Sequence, residues 1–293
     1  MKAPEANAQT ITINSGSTKL PMPFATVQNL RAQWARVGTD KGTLLFTEAD
    51  SRDGDSILIS YTGYKPLRMV KPTANITLTM MPLEATLEPV VILPCNGTGT
   101  AELRNYKKNK SSWSLGSNEK ALATWAAYIP NPDKIKGILT SIHFRLSNTD
   151  MPKSATGAPL KVRLFEYNDA TGFPGEPFLQ KELIVYPKSK DVVIDVSEER
   201  LRLPKNGLVV AIDFFYAGEQ YIHTHQVKLY RADGSSIDTL IRKYGSAITA
   251  VHADNMLGKG YSFGYKTNTW RETTTSLTQP LAPKVELGIK PCD

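Results

Sequence analysis

The chain has 293 residues, 41% of them hydrophobic and 22% charged, with 35 Lys and Arg against 28 Asp and Glu for a formal net charge of +7. That composition describes a folded protein and excludes a disordered, collagenous or cysteine-dense chain. The length exceeds one ordinary hydrophobic core, so two domains are expected.

The opening "MKAPEANAQTITI" has no apolar h-region, yet Ala6-Asn7-Ala8 before Gln9 has the small-x-small form of a signal-peptidase site. Residues 1–9 therefore read as a remnant or disordered arm of an exported chain. No later run approaches the roughly 20 apolar residues of a transmembrane helix.

Residues 10–93 read as short strands. "TITI" (10–13), "FATVQNL" (24–30), "GTLLFTEA" (42–49), "SILISYTGY" (56–64) and "NITLTMMPL" (75–83) are rich in β-branched and aromatic residues. The segments between them carry Gly, Pro, Asp and Ser, the residues that tight turns need. In "SILISY", Ile57, Ile59 and Tyr61 share one face and Ser56, Leu58 and Ser60 the other, the period of a half-buried strand. Three residues that follow read as a structural latch. Gly63 permits a turn at the sheet edge, Tyr64 folds onto the end of the core, and Pro66 is expected to stop further ladder pairing.

The ordered set "PMPFATVQN", "GTDKGTLLF", "GDSILISYTGYKPL" and "ITLTMMPLEATLEPVVI" resembles the carboxypeptidase regulatory-like domains, small transthyretin-like β-sandwiches of Bacteroidetes cell-envelope proteins. The resemblance covers about residues 10–93. It departs at the front, where "ITINSGSTKL" replaces the usual Gly-x-Val-x-Asp opening strand. It implies a β-sandwich and a periplasmic or outer-membrane-associated location in a Gram-negative bacterium.

Residues 94–133 are polar and locally basic at "LRNYKKNK" (103–110), as an interdomain joint would be. "KALATWAAYIP" (120–130) fits a short helix or a strand equally. From 134 to 293 the strand pattern returns in "KGILTSIHFRLS" (136–147), "LKVRLFEYN" (160–168), "FLQKELIVYP" (178–187), "DVVIDVS" (191–197) and "GLVVAIDFFYA" (207–217). The last is continuously apolar and so expected at the centre of a sheet. This region resembles the uncharacterised jelly-roll-like part that follows a regulatory-like domain in some envelope proteins. The fold expected is all-β, two β-sandwiches, the second larger and jelly-roll-like.

Chemistry is sparse. Two cysteines, Cys95 and Cys292, allow either one disulfide closing a very long loop or two free thiols, and too few ligands for a cysteine-rich zinc site. In "YIHTHQ", His223 and His225 would share a strand face as two metal ligands must, with Asp213, His252 or Asp254 as a third. An ordinary strand face gives the same spacing, so a metal-dependent hydrolase is the exceptional reading and no cofactor is expected. Glu166, Asp169 and Glu176 offer calcium few certain oxygens. No nucleophile elbow, P-loop or dinucleotide fingerprint is present.

Binding has more support. Tyr261, Phe263 and Tyr265 alternate onto one face, followed by Trp270, and would stack on sugar rings or anchor a protein if exposed, or form an inner sheet face if buried. Arg104, Lys107 and Lys108 offer a basic contact for an anionic or protein partner, while a nucleic-acid role needs a larger basic face. The expected function is a non-enzymatic envelope interaction or scaffold subunit with outer-membrane or other envelope proteins as partners. The alternative is carbohydrate binding by the aromatic row together with the loop from Gly172 to Pro177.

Overall fold

The computed structural model describes residues 9–32, 34–46, 52, 54–83, 95, 99–107, 113–118, 122–147, 157–230, 234–265, 267–274 and 279–292. The protein is all-β, and the chain divides into two compact units. Unit 1 comprises Met1–Val91, Gln180–Glu182 and Gly264–Thr269, and unit 2 the remainder. No helix among the described residues is long and apolar enough to cross a membrane, which says nothing of a β-barrel.

Unit 1 is a sandwich of two sheets. Its strands are β1 (Gln9–Ser15), β2 (Thr26–Asn29), β3 (Trp34–Val37), β4 (Thr43–Phe46), β5 (Ser56–Ser60), β6 (Leu67–Val70) and β7 (Ile76–Met80). They are ordered β4-β1-β7 and β3-β2-β5-β6. β1 runs antiparallel to β4 and parallel to β7. The period-2 pattern sends Ile11 and Ile13 of β1 and Ile57 and Ile59 of β5 inward, all at 0% exposure, to meet Val27, Phe46 and Met80. Each such aliphatic side chain removed from water contributes roughly 1.5–3 kcal/mol.

The latch is built as expected at Gly63 and Tyr64 and differently at Pro66. Gly63 turns at φ +82°, a backbone region costly to any residue with a Cβ. The Tyr64 ring packs against the core, edge-on to Tyr61 with centroids 5.6 Å apart, and its hydroxyl lies 3.0 Å from that of Ser15. Pro66 does not end the pairing. The chain reverses and returns as β6, antiparallel to β5 from Ile59↔Leu67 to Ser56↔Val70. Proline occupies the turn itself, where its missing N–H removes no ladder bond.

Unit 2 begins with β8 (Ala101–Arg104), β9 (Trp113–Asn118), β10 (Ala123–Pro130), β11 (Gly137–Arg145), β12 (Leu160–Asn168), β13 (Phe173–Pro177), β14 (Leu183–Val185) and β15 (Asp191–Asp195). It continues with β16 (Gly207–Phe214), β17 (Ile222–Tyr230), β18 (Ser236–His252), β19 (Gly260–Gly264), β20 (Thr269–Glu272), β21 (Leu281–Pro283) and β22 (Val285–Pro291). A seven-stranded sheet runs β13-β12-β16-β10-β19-β20, with β14 also paired to β12. A four-stranded sheet runs β15-β11-β22-β8, and a third runs β17-β18-β21 with β9 on β18.

The main core lies between the seven-stranded sheet and the β15-β11-β22-β8 sheet. Leu160, Val162 and Leu164 of β12 and Leu208, Val210, Ile212 and Phe214 of β16 face Leu139, Ile142 and Phe144 of β11 and Leu287 and Ile289 of β22. Every residue of β16 is buried. Its alternate residues Val209 and Ala211 join a second cluster with Phe165 and Tyr261 on the opposite face of the sheet. A strand buried on both faces reads as a continuous apolar run.

Residues 94–133 are not a simple joint, because β8, β9 and β10 lie in that span and all belong to sheets of unit 2. β10, the segment that fitted helix or strand, pairs with β16 over eight residues and with β19 on its other edge. Small Ala126 and Ala127 on opposite faces of β10 had masked its alternation. Cys95 and Cys292 form a disulfide within unit 2, with Cα atoms 4.3 Å apart.

Candidate functional site

Three surfaces of unit 2 carry chemistry beyond packing: a two-stranded ribbon, an aromatic layer and a charged sheet face.

The ribbon is β17 with the first half of β18. Nine residues pair from Ile222↔Tyr244 to Tyr230↔Ser236. β9 joins β18 only from Lys243 onward and β21 only from Ala250, so among the described residues Ser236 to Arg242 pair with β17 alone and β17 keeps an open outer edge. Alternation places Ile237, Thr239 and Ile241 on one face of β18. Ile237 is 46% exposed and Leu240, on the other face, 68%. An open edge with exposed apolar residues is a template for pairing with another chain. The base of the ribbon is anchored by Tyr244, which is 2% exposed and whose hydroxyl oxygen accepts from the Ala217 N–H at 2.7 Å.

Of the expected metal ligands only His223 and His225 lie on this ribbon, while Asp213 is on β16, His252 ends β18 and Asp254 follows it. His223 is buried, opposite Lys243, and the His225 side chain lies outside the described residues. His252 stacks on Trp113 with centroids 6.4 Å apart and bonds through Nε2 to Gln279. Asp213 accepts from the Thr124 hydroxyl at 2.6 Å and the Arg163 guanidinium at 2.8 Å. Asp254 contributes its carbonyl to Lys107 at 3.5 Å. Among the described residues no group of three His, Cys, Asp or Glu could hold a metal. The acidic loop of the calcium reading closes on itself: Asn168 Oδ1 accepts the N–H groups of Ala170 and Thr171, and Asp169 accepts from Asn206.

The aromatic layer covers the outer face of the seven-stranded sheet. Tyr261 is 0% exposed, its hydroxyl donating to the Gly172 carbonyl at 2.7 Å and its ring 5.7 Å from that of Phe173. Burial and the neighbouring Tyr167 push its hydroxyl pKa up, so it stays protonated. Gly260 beside it admits β21, since a Cβ there would run into the Leu281 carbonyl oxygen. Trp270 is half-buried and meets Phe165 and Phe263 edge-on at 5.5 and 5.1 Å. Tyr128 stacks on Tyr167 with centroids 3.8 Å apart. Tyr261 is thus inner packing, whereas Phe263 and Trp270 keep part of their rings at the surface. Tyr265 is half-buried. The structure brings the Gly172–Pro177 segment beside this strand, a juxtaposition of residues some 90 apart that sequence could not establish.

The charged face is the outer side of the β15-β11-β22-β8 sheet. Arg104 stands opposite Glu286, and Glu286 opposite His143. The Arg104 guanidinium lies 5.6 Å from the centroid of the Tyr106 ring, and the Lys284 ammonium 4.4 Å from it. Tyr106 donates to Glu286 at 2.6 Å. His143 Nε2 lies 2.9 Å from the Ser141 hydroxyl. Lys107 is exposed beside the turn at Asn255, and Lys108 lies outside the described residues. Lys284, Arg145 and Glu286 escaped the sequence reading because they are isolated charges on different strands, and only the register assembles them.

No family model matches the chain, and no curated protein matches it. Among solved structures, the chain is similar to the full-length major pilin SpaD from Corynebacterium diphtheriae at 11% identity and a TM-score of 0.19. That match covers 94% of this chain and spans 64% of the pilin's length.

Proposed function

We propose that the protein is a non-enzymatic interaction subunit of a bacterial cell envelope that binds a protein partner by strand addition to the β17–β18 ribbon. The observation that carries this reading is the ribbon's open edge: nine paired residues with no third strand along β17 among the described residues, and apolar side chains at 46% and 68% exposure on β18 beside it. A partner strand would supply the missing ladder bonds, and Ile237 and Leu240 the side-chain contacts. The disulfide supports export, since such bonds persist in oxidising compartments. The resemblance of residues 10–93 to regulatory-like domains supports an envelope location and an outer-membrane complex as the partner.

The test is an affinity pull-down of the tagged protein from gently solubilised native envelopes, read by mass spectrometry. Stoichiometric recovery of an envelope protein, lost in the Ile237→Lys, Leu240→Lys double variant, is the expected result. Recovery of the protein alone, or fractionation of the native chain to the cytoplasm, rejects the proposal.

A second reading, carbohydrate binding, is favoured by the closeness of the Phe173 segment to the Tyr261–Trp270 region. Here Phe263 and Trp270 would stack on sugar rings, while Tyr261 would support them from beneath. A glycan array without hits, or binding that survives Phe263→Ala and Trp270→Ala, removes it.

A further inference from the structure

The outer face of the β15-β11-β22-β8 sheet carries an arrangement that the interaction reading does not use. The β11–β22 register shifts between Leu139 and Ser141, so Thr140 is an extra residue and the strand bulges there. A bulge re-aims the side chains beside it. Thr140 and Ser141 are accordingly both half-buried, where strict alternation would send one of them inward. Ser141 stands opposite Gly288 on β22 and Asp195 on β15. Gly288 leaves the space the two hydroxyls occupy, since a Cβ there would run into both Ser141 Oγ and Thr140 Oγ1.

His143, two residues along the same strand, stands to Ser141 as a base to a nucleophile. Its Nε2 lies 2.9 Å from Ser141 Oγ, inside the roughly 2.6–3.2 Å over which a base can take a proton. Among the described residues this is the one hydrogen bond that either side chain makes. The neighbouring acids are engaged elsewhere. Asp195 Oδ1 accepts the Ser197 N–H at 2.9 Å and the Ser197 hydroxyl at 2.6 Å. Glu286, directly opposite His143, accepts the Tyr106 hydroxyl at 2.6 Å. The pair is open to solvent: Ser141 and His143 are half-buried, and Val193, opposite His143 on β15, is 60% exposed.

We propose that Ser141 is a covalent acyl-acceptor site, with His143 as its general base and a small activated carboxylic ester or thioester as the donor. In the tautomer protonated at Nδ1, Nε2 takes the hydroxyl proton as Ser141 Oγ attacks the donor carbonyl carbon. The new C–O bond forms, the bond from that carbon to the leaving oxygen or sulfur breaks with its electron pair, and the imidazolium gives its proton to the leaving group. The step is redox-neutral. Val193 offers an apolar contact to the acyl group beside the imidazole. Among the described residues no carboxylate bonds to His143, so the pair lacks the third member that orients the base in a triad. The product is an alkyl ester, less activated than its donor, so the acyl group stays on the serine. Such a site makes the chain a substrate of modification and leaves the strand-addition reading unchanged.

The test is incubation of the full chain with p-nitrophenyl acetate and, separately, with an acetyl thioester, the adduct being located by peptide mass spectrometry. One equivalent of acetyl group at Ser141 is expected, with a matching single burst of p-nitrophenolate. Ser189, exposed and donating its hydroxyl to the Asp191 carbonyl, is the internal control and should stay unmodified. His143→Gln, which keeps a hydrogen-bonding group but no base, should slow labelling of Ser141 by about a hundredfold or more. Both residues are partly exposed, so native-like unfolding curves for the variants are expected and are checked alongside. Acetyl groups spread over lysines without enrichment at Ser141, or labelling of Ser141 as fast in His143→Gln as in the unaltered chain, overturn the proposal. A burst that continues into steady turnover, abolished in Ser141→Ala, supports the nucleophile and its base and overturns the non-enzymatic reading instead.

Discussion

Replacing both cysteines by serine should destabilise unit 2 strongly. Cys95 and Cys292 are separated by 197 residues, so the bond closes a loop that spans nearly the whole unit. In the chain-entropy treatment, a loop of that length removes roughly 18 cal/mol/K from the unfolded ensemble, or ~5 kcal/mol at 25 °C. Residual structure in the unfolded chain reduces the figure, and a loss of about 2–5 kcal/mol is expected. The location makes the effect local to a defined ladder. β22 ends one residue before Cys292, whose N–H donates to the Lys136 carbonyl at 2.8 Å, and β22 pairs with β8 through Ala101↔Ile289. Native-state hydrogen exchange of β11 and β22 amides, read by mass spectrometry, measures the change directly. Loss of less than about 1 kcal/mol of protection in the Cys95→Ser, Cys292→Ser variant would refute the reasoning, because the unfolded chain would then gain little freedom from the cut.

Three further outcomes follow from particular residues. Asp55 is buried and accepts from Arg31 and Asn29, contacts that hold its pKa down at about 2. Its contribution to stability is therefore present above the unfolded value near 4 and lost as pH falls through about 2, so Asp55→Asn should flatten the acid limb of the urea midpoint of unit 1 between those values. Gly63→Ala, forced to keep φ +82°, should cost about 1–2 kcal/mol in the same unfolding assay. Asp213→Ala leaves Arg163, whose side chain is 19% exposed, without its carboxylate, and should cost about 3–5 kcal/mol by chemical denaturation, with Thr124→Val costing less.

The all-β architecture was legible because its strands advertise themselves where one face is buried. "SILIS" and "LKVRLFEYN" alternate, and β5 and β12 fall on those residues. "GLVVAIDF" is apolar throughout, and β16 is buried on both faces. The strands that escaped notice lack such a pattern. β3 and β6 are four residues long, too short to show a period, and β6 follows a proline that looked like a terminator. Charge hid β8, where "AELR" reads as linker until Leu103 is seen to be its inward residue.

The candidate surfaces divide along the same physical line. Sequence shows what lies at spacing two on one strand, and so it placed Tyr261 with Phe263, and His223 with His225, each pair on a common face. It does not show which face is inward. The 0% exposure of Tyr261 is decided by Phe173, a residue 88 positions away. Nor does it show register, the relation that sets Glu286 between Arg104 and His143 and, among the described residues, leaves β17 with an open edge. Interaction surfaces of an all-β protein are made from register and edges rather than from contiguous motifs. A chain that recognises its partner in this way carries its function in cross-strand neighbours, and its one-dimensional pattern records mainly the fold that brings them together.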